Sequence, residues 1–354
     1  MNSSTTPAPP GTAPHDRARG ALLGLAVGDA LGAPAENLTP EEIRARWGRV
    51  EDFVLDAPAG TDDTEYTIFS ALLLAQHGHA LTPAHVEAAW RTRIADGAEG
   101  PFRGAGFSER GTVENLRRGL TAPQSAQHRH AWSDGLAMRA APFGVFAAGD
   151  PAEAARLIAI DGSVSHDGEG IHGGRAVAAA VAVAVAGGDL DACVAAALAA
   201  VPADSWTART LARTVTAVRE ARRTADTGTA RGREEVERAV LRAAVVRGYP
   251  WTDLAPEAVG LAFGALAACD GRFRPTVLTA VNMGRDADTT AAVAGAVAGA
   301  LAGTAGIPAA WAAAIGPVSG SCLAWVKGRH ILDVADALVA ARPATDRVAD
   351  RSAR

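Results

Sequence analysis

The sequence predicts an all-α protein, and three observations carry that prediction. Apolar residues recur at helical spacing along nearly the whole chain. Alternating β-branched and aromatic runs between turns, the mark of strands, are almost absent. Two segments carry a glycine at every fourth position, a repeat that forms a single face only on a helix. The 354 residues allow one large domain or two ordinary ones, and 48% hydrophobic content excludes a disordered chain. With 34 basic against 39 acidic residues and a net charge of -5, no broad cationic surface is available. Nucleic acid is therefore not an expected partner, and small-molecule chemistry is.

Residues 1–15 are rich in Ser, Thr and Pro and lack a cationic segment followed by an apolar run, so they read as a disordered tail of a cytoplasmic protein rather than a secretory signal. The folded domain is expected over 16–341, with a charged tail over 342–354. Asp16 is a candidate cap for a first helix ending at Leu31. Asp62 with Glu65 suggests a capping box for a second, stopped by Gly78. Helical spacing continues over 83–94, 152–160, 175–186, 190–200, 207–222, 234–246, 256–268 and 330–341. The segments 97–106 and 124–135 are rich in turn formers or polar residues and read as loops, where binding residues concentrate.

The apolar runs at 176–186 and 291–302 are mostly Ala, Val and Gly, and read as buried soluble helices rather than membrane spans. Gly20, Gly24, Gly28 and Gly32 form one glycine ridge, and Gly295, Gly299 and Gly303 another. Each helical glycine costs about 0.5 to 1 kcal/mol against alanine, so the ridges imply close backbone approach. Cys193, Cys269 and Cys322 stand alone, which indicates neither a zinc site nor a disulfide framework. Arg209, Arg213, Arg219, Arg222 and Arg223 read as a solvated cationic face. His128 and His130 sit in a flexible setting that does not suit a metal site.

Acids gather at Glu36, at Thr61-Asp62-Asp63-Thr64 and at Asp286-Ala287-Asp288-Thr289. Helix capping accounts for one acid in each group, because a cap carboxylate accepts a backbone N–H at the positive end of the helix dipole. It does not account for a second acid that adds repulsion. Carboxylate and hydroxyl oxygens without His or Cys are hard ligands, suited to magnesium, manganese or calcium. Glu36, Asp62, Asp63, Asp286 and Asp288 carry -5 when ionised; one divalent ion leaves -3 and two leave -1, so two ions suit them better if the segments converge.

Taken together, Arg19 to Gly24, Gly28-Asp29-Ala30-Leu31-Gly32, Glu36, the Thr61–Thr64 block and the stretch from Ala280 to Thr289 resemble the ADP-ribosylglycohydrolase family. Supporting matches are Ala137-Met138-Arg139-Ala140-Ala141-Pro142, His166, and the run from Ala296 to Gly303 followed by Ile307-Pro308 and Trp311. The resemblance implies a single compact multi-helix domain with a binuclear centre of two Mg2+ or Mn2+ in a cleft. It implies Thr61, Asp62, Asp63, Asp286, Asp288 and Thr289 as metal ligands, and Glu36 and Asp63 as catalytic carboxylates. It also implies cleavage of the bond between ADP-ribose and an acceptor such as a protein side chain. The alternatives are a small ribosyl or NAD-derived metabolite as substrate, or a catalytically silent binding or structural relative.

The residues implied to face substrate are Trp132, Ser133, Asp134, Gly135 and His166. Two departures from the family pattern fall near them. Ser133-Asp134-Gly135 replaces the usual Gly-Asn-Gly in the loop that helps hold the pyrophosphate in relatives, and Gly284-Arg285-Asp286 replaces Gly-Gly-Asp. A carboxylate 4 Å from a phosphate is repelled by roughly 4 kcal/mol at an effective dielectric of 20. Three arrangements follow: Asp134 turns away or caps a turn, Arg139 or Arg285 pairs with it, or the substrate is less negative than ADP-ribose.

Overall fold

The computed structural model describes residues 13–96 and 104–343. Among them sixteen α-helices form and no strand does; the one β pairing is an isolated antiparallel bridge between Ser133 and Leu254. The helices are α1 (Pro14–Gly32), α2 (Pro40–Trp47), α3 (Asp62–His77), α4 (Pro83–Trp90), α5 (Phe107–Arg117), α6 (Ala141–Phe146), α7 (Pro151–Gly162) and α8 (Gly168–Val185), followed by α9 (Leu190–Ala199), α10 (Trp206–Thr224), α11 (Ala230–Ala244), α12 (Ala255–Ala268), α13 (Phe273–Met283), α14 (Ala287–Ala302), α15 (Ala309–Ala314) and α16 (Ile331–Ala341). One contiguous apolar core joins them, and none of the described helices is long and apolar enough to cross a membrane.

The core is built on the pair α1 and α14, the most extensive helix contact in the molecule. Every residue from Ala287 to Ala300 is buried, and α3, α6, α8, α12, α13 and α16 pack around the pair. The two glycine ridges meet face to face. A Cβ built on Gly24 would lie 2.3 Å from the Gly295 carbonyl oxygen, and one on Gly299 would lie 2.1 Å from that of Gly20. Hydrogen alone fits there, so the cost of the glycines is offset by backbone-to-backbone packing that no other residue permits. The seam also brings the end of α1 beside the start of α14: a Cβ on Gly32 would meet the Ala287 carbonyl oxygen at 2.4 Å.

Several helix starts differ from the sequence expectation. α1 begins at Pro14, so residues 14 and 15 are helical, and Asp16 does not cap it; its carboxylate accepts from the Thr304 N–H (3.2 Å) and hydroxyl. The cap of α3 is Thr61, whose hydroxyl accepts from the Asp63 N–H at 3.4 Å, and Asp62 with Glu65 forms no capping box. Glu65 is fully buried and accepts the N–H groups of Ser321 (3.0 Å), Cys322 (3.0 Å) and Leu323 (2.6 Å). Three donors, two of them buried, hold that carboxylate better than one donor at a helix end. The capping box is at α2, where Thr39 and Glu42 exchange backbone and side-chain bonds.

The stretch 83–94 is helical throughout, as an α-helix to Trp90 and as a π-helical turn over Arg91–Ala95. Arg342 is buried and donates to the Ala148 carbonyl at 3.3 Å; residues 344–354 of the expected C-terminal tail, residues 1–12 and the 97–103 part of the first expected loop lie outside the described residues.

Candidate active site

One cavity of about 440 Å³, a volume within the range of small-molecule sites, is lined by four segments that carry residues singled out in the sequence and by two more, 104–110 and 250–253. The first two of the four are locked together where α1 ends and α14 begins. Asn37 and Arg285 both adopt left-handed backbone, with φ of 61° and 65°. The Asn37 N–H donates to the Arg285 carbonyl at 2.7 Å, and the Arg285 N–H to the Leu38 carbonyl at 2.9 Å. This two-way clasp sets Glu36 opposite Asp286, Asp288 and Thr289, and the Asn37 amide donates to a Glu36 oxygen at 2.9 Å.

The third segment is the start of α3, and Asp29 of α1 holds it. Its buried carboxylate accepts from the Thr61 N–H (2.8 Å), the Thr61 hydroxyl (2.8 Å), the Thr64 N–H (3.1 Å) and the Thr64 hydroxyl. Burial still raises Asp29 to about 6, against the pull of those four donors. So anchored, the first turn of α3 presents Asp62 and Asp63 to the cavity. The fourth segment is the loop before α6. The Asp134 N–H donates to the Asp253 carbonyl (2.9 Å) and the Ala255 N–H to the Trp132 carbonyl (3.0 Å), which places Asp134 and Asp253 on one wall.

Behind that wall lies a closed ring of buried polar groups. Arg139 donates to Ser165 Oγ (2.7 Å), Asp161 (3.0 Å) and the Gly135 carbonyl (3.2 Å), and lies 3.5 Å from Glu109. Ser165 Oγ is 2.8 Å from His166 Nδ1, and His166 Nε2 is 3.1 Å from Ser133 Oγ. Ser133 donates to Ser108 Oγ (2.9 Å), and Ser108 to Glu109 (2.6 Å). Each hydroxyl has one proton to give, and with His166 neutral and its proton on Nε2 the ring runs in one direction, every hydroxyl proton meeting an acceptor. Burial, reinforced by the Arg139 charge, pushes His166 well below its usual range, in accord with that assignment.

The cavity is strongly acidic. Burial, then the neighbouring carboxylates, raises Asp62, Asp63, Asp134, Asp286 and Asp288 well above the ordinary range; the largest charge effect on Asp62, Asp63 and Asp134 comes from Asp288, Asp288 and Asp253, respectively. Glu36 is exposed by area at the cleft mouth, yet the surrounding walls desolvate its carboxyl and raise it, as they do Asp253.

Of the residues singled out in the sequence, the structure brings Glu36, Asp62, Asp63, Ser133, Asp134, Gly135, Asp286, Asp288 and Thr289 to this cavity. Thr61 lies behind the lining with its hydroxyl bonded to Asp29. His166 is in the buried ring, and Trp132, 45% exposed, packs its indole against Gly168 outside the cavity. The ring at the cavity is instead Trp251, joined by Phe107. Sequence reading missed Glu109, Trp251 and Asp253, and missed the anchoring role of Asp29. Asp29 was marked in the sequence as an acid within a glycine ridge and within the Gly28-Asp29-Ala30-Leu31-Gly32 block, with no anchoring role attached. The other three are isolated in sequence.

The ADP-ribosylglycohydrolase family pattern matches residues 10–347. The chain belongs to the ADP-ribosylglycohydrolase family. It is 35% identical over 178 residues to a protein of Archaeoglobus fulgidus described as uncharacterized, a match that covers 48% of this chain and 55% of that one. It is 32% identical over 167 residues to the ADP-ribosyl-[dinitrogen reductase] glycohydrolase of Rhodospirillum rubrum, covering 44% of this chain and 53% of that one. The chain thus spans about half the length of the curated relatives it matches. The fold also matches that of a solved "ADP-ribosylglycohydrolase-related protein complex", with a TM-score of 0.60 at 23% identity over 94% of this chain and 100% of the other.

Within this family member, no group of three or more Asp, Glu, His or Cys side chains among the described residues is gathered tightly enough to hold an ion. The donor chemistry nevertheless fits a hard divalent metal. Asp63 Oδ2 and Asp288 Oδ1 are buried without a hydrogen-bond partner, and both belong to carboxylates that face the cavity. A buried carboxylate oxygen with no donor is costly until a cation or proton satisfies it.

Proposed function

We propose that the chain is a metal-dependent hydrolase that cleaves the glycosidic bond at the anomeric carbon of a ribosyl unit, with ADP-ribosyl conjugates as the substrate class that family membership suggests. The observation that carries this reading is the pair of unpartnered, buried oxygens on Asp63 and Asp288, contributed to one cavity by helices far apart in sequence. Asp62, Asp63, Asp286, Asp288 and Thr289, which line the cavity, are the residues that would hold two magnesium or manganese ions, while Thr61 is bonded to Asp29 behind them. When bound, these ions supply Lewis acidity toward ribose hydroxyls and water.

The chain's own residues then have distinct tasks. Glu36, at the mouth and raised by desolvation, takes the proton of the attacking water as its oxygen bonds to C1′. The C1′ bond to the leaving atom breaks with its electron pair on that atom. Asp63 and the other buried carboxylates oppose the positive charge that grows at C1′. The Asn37 amide fixes the Glu36 carboxylate through its 2.9 Å bond.

The test pairs binding with turnover. The chelator-treated chain should take up magnesium or manganese in a calorimetric titration and regain release of ADP-ribose from ADP-ribosylated Arg or Ser. Asp288→Ala should lose both responses. Full hydrolysis in excess chelator would refute the proposal.

A further inference from the structure

We infer that Arg285 is a positioning residue: it straps the loop 245–253, and with it the Trp251 wall of the cavity, to the backbone clasp that sets Glu36 opposite Asp286. The inference rests on the hydrolase reading above and deepens it, by naming what holds the substrate-facing wall in place. Gly284 and Arg285 are consecutive left-handed residues, with φ of 66° and 65°. Gly284 has to be glycine, since a Cβ there would lie 2.1 Å from the Leu38 carbonyl oxygen. Position 285 is different. A glycine adopts that φ freely, whereas a residue with a Cβ keeps it only where its surroundings hold it. The clasp holds the Arg285 main chain, and the side chain has contacts of its own.

Those contacts lie on the other side of the cavity. Arg285 Nε donates to Glu257 Oε1 at 2.6 Å and Nη2 to the Trp251 carbonyl at 3.3 Å, so the side chain is committed there and not to Asp134. Glu257 is fully buried in the first turn of α12, and its other oxygen accepts from the Val246 N–H at 2.7 Å. The guanidinium fork therefore reaches the far end of the loop directly, at Trp251, and the near end through Glu257, at Val246.

The loop has little of its own to define it. Within 245–253, among the described residues, one backbone hydrogen bond forms, from the Tyr249 N–H to the Val246 carbonyl at 3.3 Å. Its other ties lead outward: the Thr252 hydroxyl donates to Asn37 Oδ1, and the Asp253 carbonyl accepts the Asp134 N–H at 2.9 Å. Yet this loop gives the cavity Pro250, Trp251, Thr252 and Asp253. Arg285 thus joins the two halves of the site. Its main chain sits beside the carboxylates assigned to the ribosyl centre, and its guanidinium sits behind the wall that the rest of the substrate meets.

Arg285→Gly separates the two roles, because it preserves the left-handed backbone and removes the guanidinium. In the magnesium-loaded full chain, amide exchange over 246–253 should be at least about tenfold faster in the variant, while the Asn37 amide of the clasp should change by less than about twofold. With an ADP-ribosylated Arg peptide, KM should rise at least about fivefold, and kcat and the calorimetric affinity for magnesium should each change by less than about twofold, the pattern of lost binding and intact chemistry. Arg285→Lys, which offers a single ammonium to two acceptors, should recover part of the exchange protection and part of the KM. If Glu257 without its donor prevents Arg285→Gly from folding, the double variant Arg285→Gly with Glu257→Gln takes its place. Unchanged exchange over 246–253, an unmoved KM, or a loss of kcat or magnesium affinity as large as the rise in KM would overturn the inference. A parent chain that hydrolyses no ADP-ribosylated substrate would remove the hydrolase reading alone. The affinity for free ADP-ribose then decides the strap: weakened at least about fivefold by Arg285→Gly in calorimetry if Arg285 positions the wall, unchanged if it does not.

Discussion

His166 shows how one side chain's protonation state is written by its neighbours. The ring from Arg139 through Ser165, His166, Ser133 and Ser108 to Glu109 gives every hydroxyl proton an acceptor when the imidazole is neutral with its proton on Nε2. The folded protein holds His166 well below 6.5 while the unfolded chain does not. The unfolded state therefore takes up the proton first, and the contribution of His166 to stability is complete above about pH 6.5 and lost as pH falls below it. The raised carboxylates of the cleft act in the opposite sense, gaining as pH falls, so a comparison with a variant is required. Thermal denaturation from pH 7.5 down to 5 should lower the Tm of the parent chain more steeply than that of His166→Gln; parallel slopes would contradict the ring. At this scale the doubled acids Asp62-Asp63 and Asp286-Ala287-Asp288 were legible because they cluster in sequence. Asp29, Glu109 and Asp253 were not, because each acquires its surroundings from segments distant in the chain.

The helix pair α1 and α14 inverts a common rule about glycine. Replacing a helical glycine by alanine ordinarily gains about 0.5 to 1 kcal/mol. Gly24→Ala should instead cost more than about 2 kcal/mol, because the new methyl meets the Gly295 carbonyl oxygen at 2.3 Å and the Phe273 ring at 2.9 Å. Gly316→Ala, where nothing lies within 4 Å, is the control and should change stability by less than about 0.5 kcal/mol in urea denaturation. The ridges were readable because a period of four on a helix has few other uses. α5 was not, because its inward face carries Ser108, Glu109 and Thr112 beside Val113 and Leu116, and apolar periodicity cannot report a polar face that is buried. α13 was hidden by Pro275, which sits harmlessly in its first turn. The arginines of α10, read as a solvated face, are partly tied down: Arg222 pairs with Asp270 (2.5 and 2.6 Å) and Arg213 reaches the Ala243 carbonyl (2.8 Å).

For the molecule as a whole, like charges held together in the cleft oppose folding, and a bound cation relieves them. Magnesium at about one hundred times its dissociation constant should add about 2.7 kcal/mol to stability, visible as a rise in Tm that Asp288→Ala abolishes. A Tm indifferent to magnesium and manganese would count against a resident metal. The architecture itself was legible as all-α from periodicity, whereas the convergence of six segments on one cavity depends on tertiary contacts that spacing does not encode. The glycine seam has a further bearing on how the protein is made. It joins the first helix to one of the last, so Glu36 and Asp62 emerge from the ribosome long before Asp286 and Asp288 exist to complete their surroundings. Contacts of such separation form late, after most of the loop-closure entropy has been lost. The acidic cleft is therefore completed only after α14 has been made and has packed against the glycines of α1.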